Sequence, residues 1–198
     1  MDRKLLKPLP QTILETYISP LGAMTMVSDG EALCGLWFDG QRHFTEKVDI
    51  ECCKHRSNAV FDITKRWLDA YFDGRMPTTT PSLSLHGSPF RMMVWKALES
   101  ISYGVTATYG EIAQRLMKDG DIQCVSARAV GGAVGHNPIA VIVPCHRVVG
   151  AGFSASFLDE DRPLHSMNLT GYAAGIERKL WLLRWERGMH NNNVMFKC

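Results

Sequence analysis

The segment "SARAVGGAVGHNPIAVIVPCHRVVG", Ser126–Gly150, strings together a run of small residues, an Asn-Pro turn, a five-residue apolar run and a Cys-His pair behind a proline. Val130, Ala133 and Val134 read as the packing face of a short helix. Each interior glycine of that helix costs about 1 kcal/mol relative to alanine. Gly131, Gly132 and Gly135 therefore imply close approach of something to the backbone: either a neighbouring helix, or a phosphate or groove wall. Arg128 is the one charged side chain from Val125 up to Arg147. The run "IAVIV", 139–143, reads as a buried strand that Pro144 ends. Cys145 and His146 then fall where the chain turns, a common place for functional groups. On these residues alone Cys145 has three readings: a packed core thiol, a metal ligand, or a nucleophile. The last needs help, because a free thiol has a pKa of about 8.5, and His146 is the adjacent base.

Working outward, Thr108-x-x-Glu111 is a capping box, and Tyr109, Ile112, Ala113, Leu116 and Met117 share the buried face of the helix it opens. That helix and the glycine-rich one, with Gly120 in the turn between them, make a candidate helix-turn-helix. Upstream, Ser88 and Pro89 start a further helix with Phe90, Met93, Val94, Ala97, Leu98 and Ile101 in helical rhythm. The first half differs. "TILETYIS", "AMTMVSD" and "EALCGLWFDG", separated by Pro20-Leu21-Gly22 and Asp29-Gly30, predict an antiparallel meander. A helix follows with Val60, Ile63, Trp67, Leu68 and Tyr71 on one face and Gly74 at its C-terminal cap. The stretch "MPTTTPSLSLHGSP", 76–89, loses periodicity and marks a boundary. The expected fold class is α+β: a small N-terminal antiparallel-sheet-plus-helix domain, 1–85, then a mainly helical C-terminal domain, 86–198, with a winged-helix-like helix-turn-helix. The polar tail "HNNNVMFKC" is expected to fray.

A chain of 198 residues can bury a hydrophobic core without disulfides. Its six cysteines, at 34, 52, 53, 124, 145 and 198, lack the spacing of a secreted framework and read as reduced thiols. There is no apolar signal region and no run long enough to span a membrane, so the expected setting is cytoplasmic: bacterial cytosol, or nucleus in a eukaryote. "CCKH", 52–55, lacks C-x-x-C reach and has no second ligand pair, so no metal and no cofactor is expected. Net charge is +2, with 10 Lys+Arg against 11 Asp+Glu in residues 1–85 and 12 against 9 beyond. A nucleic-acid surface in the second half is permitted by this, though not required.

Three stretches, "PFRMMVWKALESISYGVTATYGEIA", "SARAVGGAVGHNPIAVIVPCHRVVG" and "LTGYAAGIERKLWLLRWE", together resemble the O6-alkylguanine-DNA alkyltransferase (methylated-DNA–protein-cysteine methyltransferase) family. The likeness covers the second half nearly throughout, and "SPLG" and "LDAYFDGR" extend it to the first. It implies single-turnover, irreversible transfer of an alkyl group from O6-alkylguanine, with O4-alkylthymine as a second candidate, to Cys145. His146 would take the thiol proton, Glu186 would orient the histidine and Asn137 would brace the turn. The partner implied is double-stranded DNA carrying O6-alkylguanine, bound by a monomer without a membrane. The helix with Ser126, Ala127, Ala129 and Gly131 would enter the minor groove, Arg128 would fill the gap left by a flipped nucleotide, and Tyr109 would crowd its 3′ phosphate. Val143, Val148, Tyr172 and Ala173 would form the guanine pocket.

Two departures stand out. The connection 150–171 is longer than the family's usual one and holds the acidic cluster Asp159-Glu160-Asp161, expected either to bulge away from DNA or to cover the pocket. The helix-turn-helix connection "MKDGDIQCV" is also longer. If the 150–171 loop blocks the site, the chain would instead be an alkyltransferase-like lesion-binding protein. A major-groove regulator should offer several base-reading side chains where this helix offers one arginine. A Cys-His hydrolase would leave the glycine-rich helix without a reason.

Overall fold

The computed structural model describes residues 12–44, 48–119, 123–158 and 163–188. The polar tail, Gly120 and the Asp159-Glu160-Asp161 cluster lie outside the described residues. Two compact units succeed one another, with the break between His86 and Gly87.

In the first unit β1 (Ile13–Ser19) and β2 (Gly22–Ser28) form a hairpin closed by the pair Ser19 and Gly22. The antiparallel meander continues through β3 (Leu33–Phe38). A two-residue strand, β4 (Lys54–His55), joins β1 in parallel and makes the order β3-β2-β1-β4. Two residues carry no readable period, so the sequence did not announce this edge. Met24, Met26, Leu36 and Phe38 are fully buried, and α1 (Ala59–Phe72) packs on the sheet. The Asn58 side chain caps α1 by accepting from the Phe61 amide at 2.9 Å. Tyr17 donates to Asp69 at 2.8 Å and Lys65 pairs with Glu15. The buried face of α1 is Val60, Phe61, Thr64, Leu68, Tyr71 and Phe72, while Ile63 and Trp67, expected in it, are half-buried. Thr64 can take a central place because its hydroxyl donates to the Val60 carbonyl at 2.8 Å, which removes the penalty for burying it.

In the second unit the Ser88 cap opens α2 (Pro89–Glu99), and Trp95 Nε1 donates to the Ala133 carbonyl at 2.9 Å. The capping box opens α3 (Tyr109–Lys118): the Glu111 amide donates to Thr108 Oγ1 at 3.1 Å and the Thr108 amide to Glu111 Oε2 at 2.6 Å. Ser126 caps α4 (Ala127–Gly135) through the Ala129 amide at 3.1 Å. These three helices pack on one another around Val94, Leu98, Ile112, Leu116 and Val130. Beside them β5 (Ala107–Thr108) and β6 (Val148–Val149) pair in parallel, which sets the start of α3 next to the chain leaving Cys145. The last described helix is α5 (Ile176–Glu186).

Residues 139–143 are not a strand. They form a buried sequence of turns in which the Ile142 amide donates to the Ala140 carbonyl and the Val143 amide to Ile139. Burial alone explains the apolar run, and a five-residue apolar run cannot distinguish a core strand from a core turn. The turn carries a cost: Val141 stands at φ 68, a left-handed conformation disfavoured for a β-branched side chain.

The long connection after β6 packs against α5. Leu158, Met167 and Leu169 build a satellite core with Val149 and Leu183, flanked by Phe153, Phe157, Leu164, Ile176 and Leu180. Arg184 Nε donates to the Leu158 carbonyl at 3.0 Å. Gly150 is where this arm folds back on itself, its amide donating to the Asn168 carbonyl at 2.8 Å. A Cβ there would lie 2.6 Å from Thr170 Cγ2 and 2.8 Å from the Asn168 oxygen. Gly150→Ala is therefore expected to destabilise the protein by about 1–3 kcal/mol, the usual cost of overpacking, read as a lowered urea midpoint at unchanged slope.

Candidate active site

Cys145, His146 and Arg147 occupy one 3-10 helical turn that follows Pro144, and all three are buried. The strained turn before them is organised by one side chain. Asn137 Oδ1 accepts from the Ile139 amide at 3.1 Å, and its Nδ2 donates to the Val143 carbonyl at 2.8 Å, the Ile139 carbonyl at 3.1 Å and Cys145 Sγ at 3.0 Å. The same amide thus braces the backbone and holds the sulfur.

His146 is fully buried. Its Nε2 lies 2.7 Å from Glu186 Oε1, while Nδ1 is buried without a protein hydrogen-bond partner among the described residues. Glu186 ends α5 and collects further donors: Arg147 Nε at 2.9 Å, Arg147 Nη2 at 2.9 Å and the Gly104 amide at 3.0 Å. Gly104 stands at φ 71, and a Cβ on it would meet the Glu186 carbonyl oxygen at 3.0 Å, so glycine serves both the turn and the close approach. Arg147 also donates to the Ile101 carbonyl at 2.6 Å and lies over the Tyr103 ring.

These contacts define the charge state. The imidazole and guanidinium beside Glu186 hold its carboxyl well below the ordinary glutamate range, against the opposing effect of burial. Burial pushes His146 down despite that carboxylate. The pair rests as carboxylate and neutral imidazole, and with Nε2–H donating to Glu186 Oε1 the lone pair of the ring is at Nδ1. Burial also raises the Cys145 thiol, offset by Asn137, by the Lys179 charge and by Tyr172. The resting cysteine is a thiol.

Lys179 was not anticipated. It is fully buried, its Nζ donating to the Val148 and Leu169 carbonyls, and burial lowers its pKa to about 8. A signal was present: Lys179, Leu182, Leu183 and Glu186 are the buried stripe of α5, at i, i+3, i+4 and i+7, with a charge at each end. Arg147 was likewise given no role from the sequence.

The remaining expected residues surround this group. Val143 and Val148 are buried, each with its carbonyl already bonded, to Asn137 and Lys179 respectively. The buried Tyr172 hydroxyl interacts with the Cys145 sulfur without a hydrogen bond of regular geometry, and Ala173 is half-buried beside it in sequence. Tyr109 is half-buried and close enough to Cys145 to interact electrostatically. On α4, Ala127, Arg128, Ala129 and Gly132 are exposed, as is the Ser126 cap. Neighbouring helices do not explain the glycines: a Cβ on Gly132 or Gly135 would meet nothing within 4 Å, and one on Gly131 only the Tyr109 ring at 3.6 Å.

The Glu186 cluster predicts a pH profile. His146 and Glu186 both have folded pKa values below their unfolded ones. Between the two values the unfolded state binds more protons, so stability falls as pH falls. Urea midpoints should decline first below about pH 6.5, the ordinary imidazole value, and again below about 4.3, that of glutamate. Glu186→Gln should reduce the second decline, leaving the share that comes from the carboxyls of Asp29 and Glu111, which are also held low. At pH 7 it should cost about 3–5 kcal/mol, because the buried Arg147 charge is left uncompensated.

Two domain models match the chain: 6-O-methylguanine DNA methyltransferase, DNA binding domain, over residues 89–188, and 6-O-methylguanine DNA methyltransferase, ribonuclease-like domain, over 13–85. The methylated-DNA–protein-cysteine methyltransferase of Mycobacterium tuberculosis is 39% identical over 172 residues, 87% of this chain and 90% of the relative. That of Haemophilus influenzae is 34% identical over 172 residues, covering 86% and 84%. The crystal structure of Mycobacterium tuberculosis OGT in complex with DNA aligns with a TM-score of 0.71 at 38% identity, over 88% of this chain and 92% of that one. With both halves matched and relatives aligned along most of their length, the chain belongs to the methylated-DNA–protein-cysteine methyltransferase family.

Proposed function

We propose that the protein repairs double-stranded DNA by moving the alkyl group of O6-alkylguanine onto Cys145 Sγ, acting once as a monomer in the cytoplasm. The observation that carries this reading is a buried thiol beside a neutral, buried histidine whose Nε2 is engaged by a carboxylate and whose Nδ1 lone pair is left for a proton.

The thiol proton passes through a water to His146 Nδ1, and Glu186 stabilises the imidazolium that results. The thiolate lone pair forms the S–C bond as the C–O6 bond breaks, its electrons remain on guanine, and the base takes up a proton from water while the imidazolium returns its own to water, so that the thiol proton is the one guanine gains overall. Lys179 and Asn137 stabilise the developing thiolate. The product thioether has no carbonyl for water to attack, so the protein is consumed. O4-alkylthymine, with its alkyl group on an exocyclic oxygen beside a ring nitrogen, is a second candidate substrate.

The alkyl carbon is inaccessible inside the stack, so the nucleotide is flipped out. The exposed small residues of α4 support entry into the minor groove, which is only about 6 Å wide. Arg128 fills the gap, Tyr109 crowds the 3′ phosphate, and the base enters between Val143, Val148, Tyr172 and Ala173. The satellite core that seats the long loop on α5 favours transfer over a blocked, lesion-binding role.

Mass spectrometry after incubation with O6-methylguanine duplex tests the reaction. One added methyl group on Cys145 is expected, and none on Cys145→Ser, whose alcohol resists ionisation; transfer retained in that variant would move the nucleophile elsewhere.

Flipping is tested separately with Arg128→Ala. Repair of duplex DNA should slow about tenfold, since unstacking costs a few kcal/mol and the arginine offsets part of it. Reaction with a free O6-alkylguanine base should keep the wild-type rate. Equal losses would place Arg128 in the pocket, and no loss on duplex would make it a surface charge.

A further inference from the structure

Tyr109 begins α3 near enough to Cys145 to feel its charge, and the partner of its hydroxyl comes from far along the chain. Thr170 Oγ1 and Tyr109 Oη form a hydrogen bond at 3.0 Å, and the Leu169 carbonyl lies 2.6 Å from Oγ1 as the alternative acceptor of the single Thr170 hydroxyl proton; when that proton turns to Leu169, Tyr109 Oη donates to Oγ1. Thr170 stands at φ 58 and Asn168 at φ 52. For a β-branched residue that conformation is costly and persists only where the surroundings impose it. Here they do. The Asn168 carbonyl accepts from the Gly150 amide at 2.8 Å, the Leu169 carbonyl accepts from Lys179 Nζ at 2.6 Å, and the Leu169 side chain is buried in the satellite core on α5.

The Tyr109 ring is bounded on another side by α4, where a Cβ on Gly131 would lie 3.6 Å from Cε1. Its hydroxyl is thus held by the loop while its ring rests against a residue with no side chain. We propose that Thr170 is a positioning residue for the transfer reaction: its hydroxyl, presented by the strained end of the long 150–171 connection, presets Tyr109 at the mouth of the Cys145 site before DNA arrives. This rests on the transfer reading above. It gives the long loop a task, since the satellite core anchors the segment that reaches Tyr109.

The test is single-turnover transfer from a methylated duplex, resolved into the rate at saturating DNA and the dissociation constant for DNA. Thr170→Val keeps the side-chain shape without the hydroxyl, and its saturated rate should fall about fivefold, the typical worth of one hydrogen bond. DNA affinity should stay at the wild-type value, and Thr170→Ser should restore the rate. Tyr109→Phe removes the other half of the same bond, so the double variant should be no slower than the slower single one. A wild-type rate for Thr170→Val, additive losses in the double variant, or weakened DNA binding at unchanged rate would each overturn the proposal. If Thr170→Val does not fold, Thr170→Gly takes the same backbone conformation without strain. It must then show the same loss of saturated rate, and a wild-type rate would overturn the proposal equally. Absence of transfer by the wild-type protein is a separate outcome, which refutes the reaction and this inference with it.

Discussion

One carboxylate ties the cysteine site together. Glu186, buried at the end of α5, accepts from His146, from Arg147 through two nitrogens and from the Gly104 amide. An uncompensated buried charge costs several kcal/mol, so these donors are obligatory. Through them α5, the cysteine turn and the turn ahead of β5 are one electrostatic unit, and Arg147 extends it to the Ile101 carbonyl. The same carboxylate orients the imidazole and leaves Nδ1 as its free base. Stability and chemistry at this site therefore cannot be varied independently.

Around that unit the structure balances a thiol that is protonated at rest against a set of groups ready to stabilise its anion. Desolvation opposes ionisation of Cys145, while Asn137, Lys179 and Tyr172 favour it. Lys179 does more than supply charge: by bonding the Val148 and Leu169 carbonyls it joins the chain that leaves Cys145 to the end of the long loop. The loop anchors on α5 through apolar packing and returns to the site through polar contacts. Its length is used to build a second, smaller core.

Local signals in the chain were readable because they act over one turn. The cap at Ser88, the Thr108 capping box with Glu111 and the hairpin turns all stand where the residues placed them, while the Ser126 cap of α4 came from the structure. Residues 139–143 were misread because apolarity reports burial and not backbone shape, and the turn there is imposed by Asn137 rather than by the run itself. The α1 face was displaced by Thr64, whose hydroxyl bonds one turn back and so escapes the usual cost of burial.

The sequence by itself determined the β1–β3 meander, helices α1 to α4, the α+β division and the placement of Cys145 beside His146, since each depends on side chains within a few positions of one another. It also marked α5 with a lysine and a glutamate on an apolar stripe. Only the tertiary structure decided what those charges do. His146 and Glu186 are 40 positions apart, Thr170 and Tyr109 are 61 apart, and Lys179 reaches a carbonyl 31 positions away. Whether a charge is buried, which partner compensates it and which proton it therefore keeps are properties of the contact between such segments, and no local pattern encodes them.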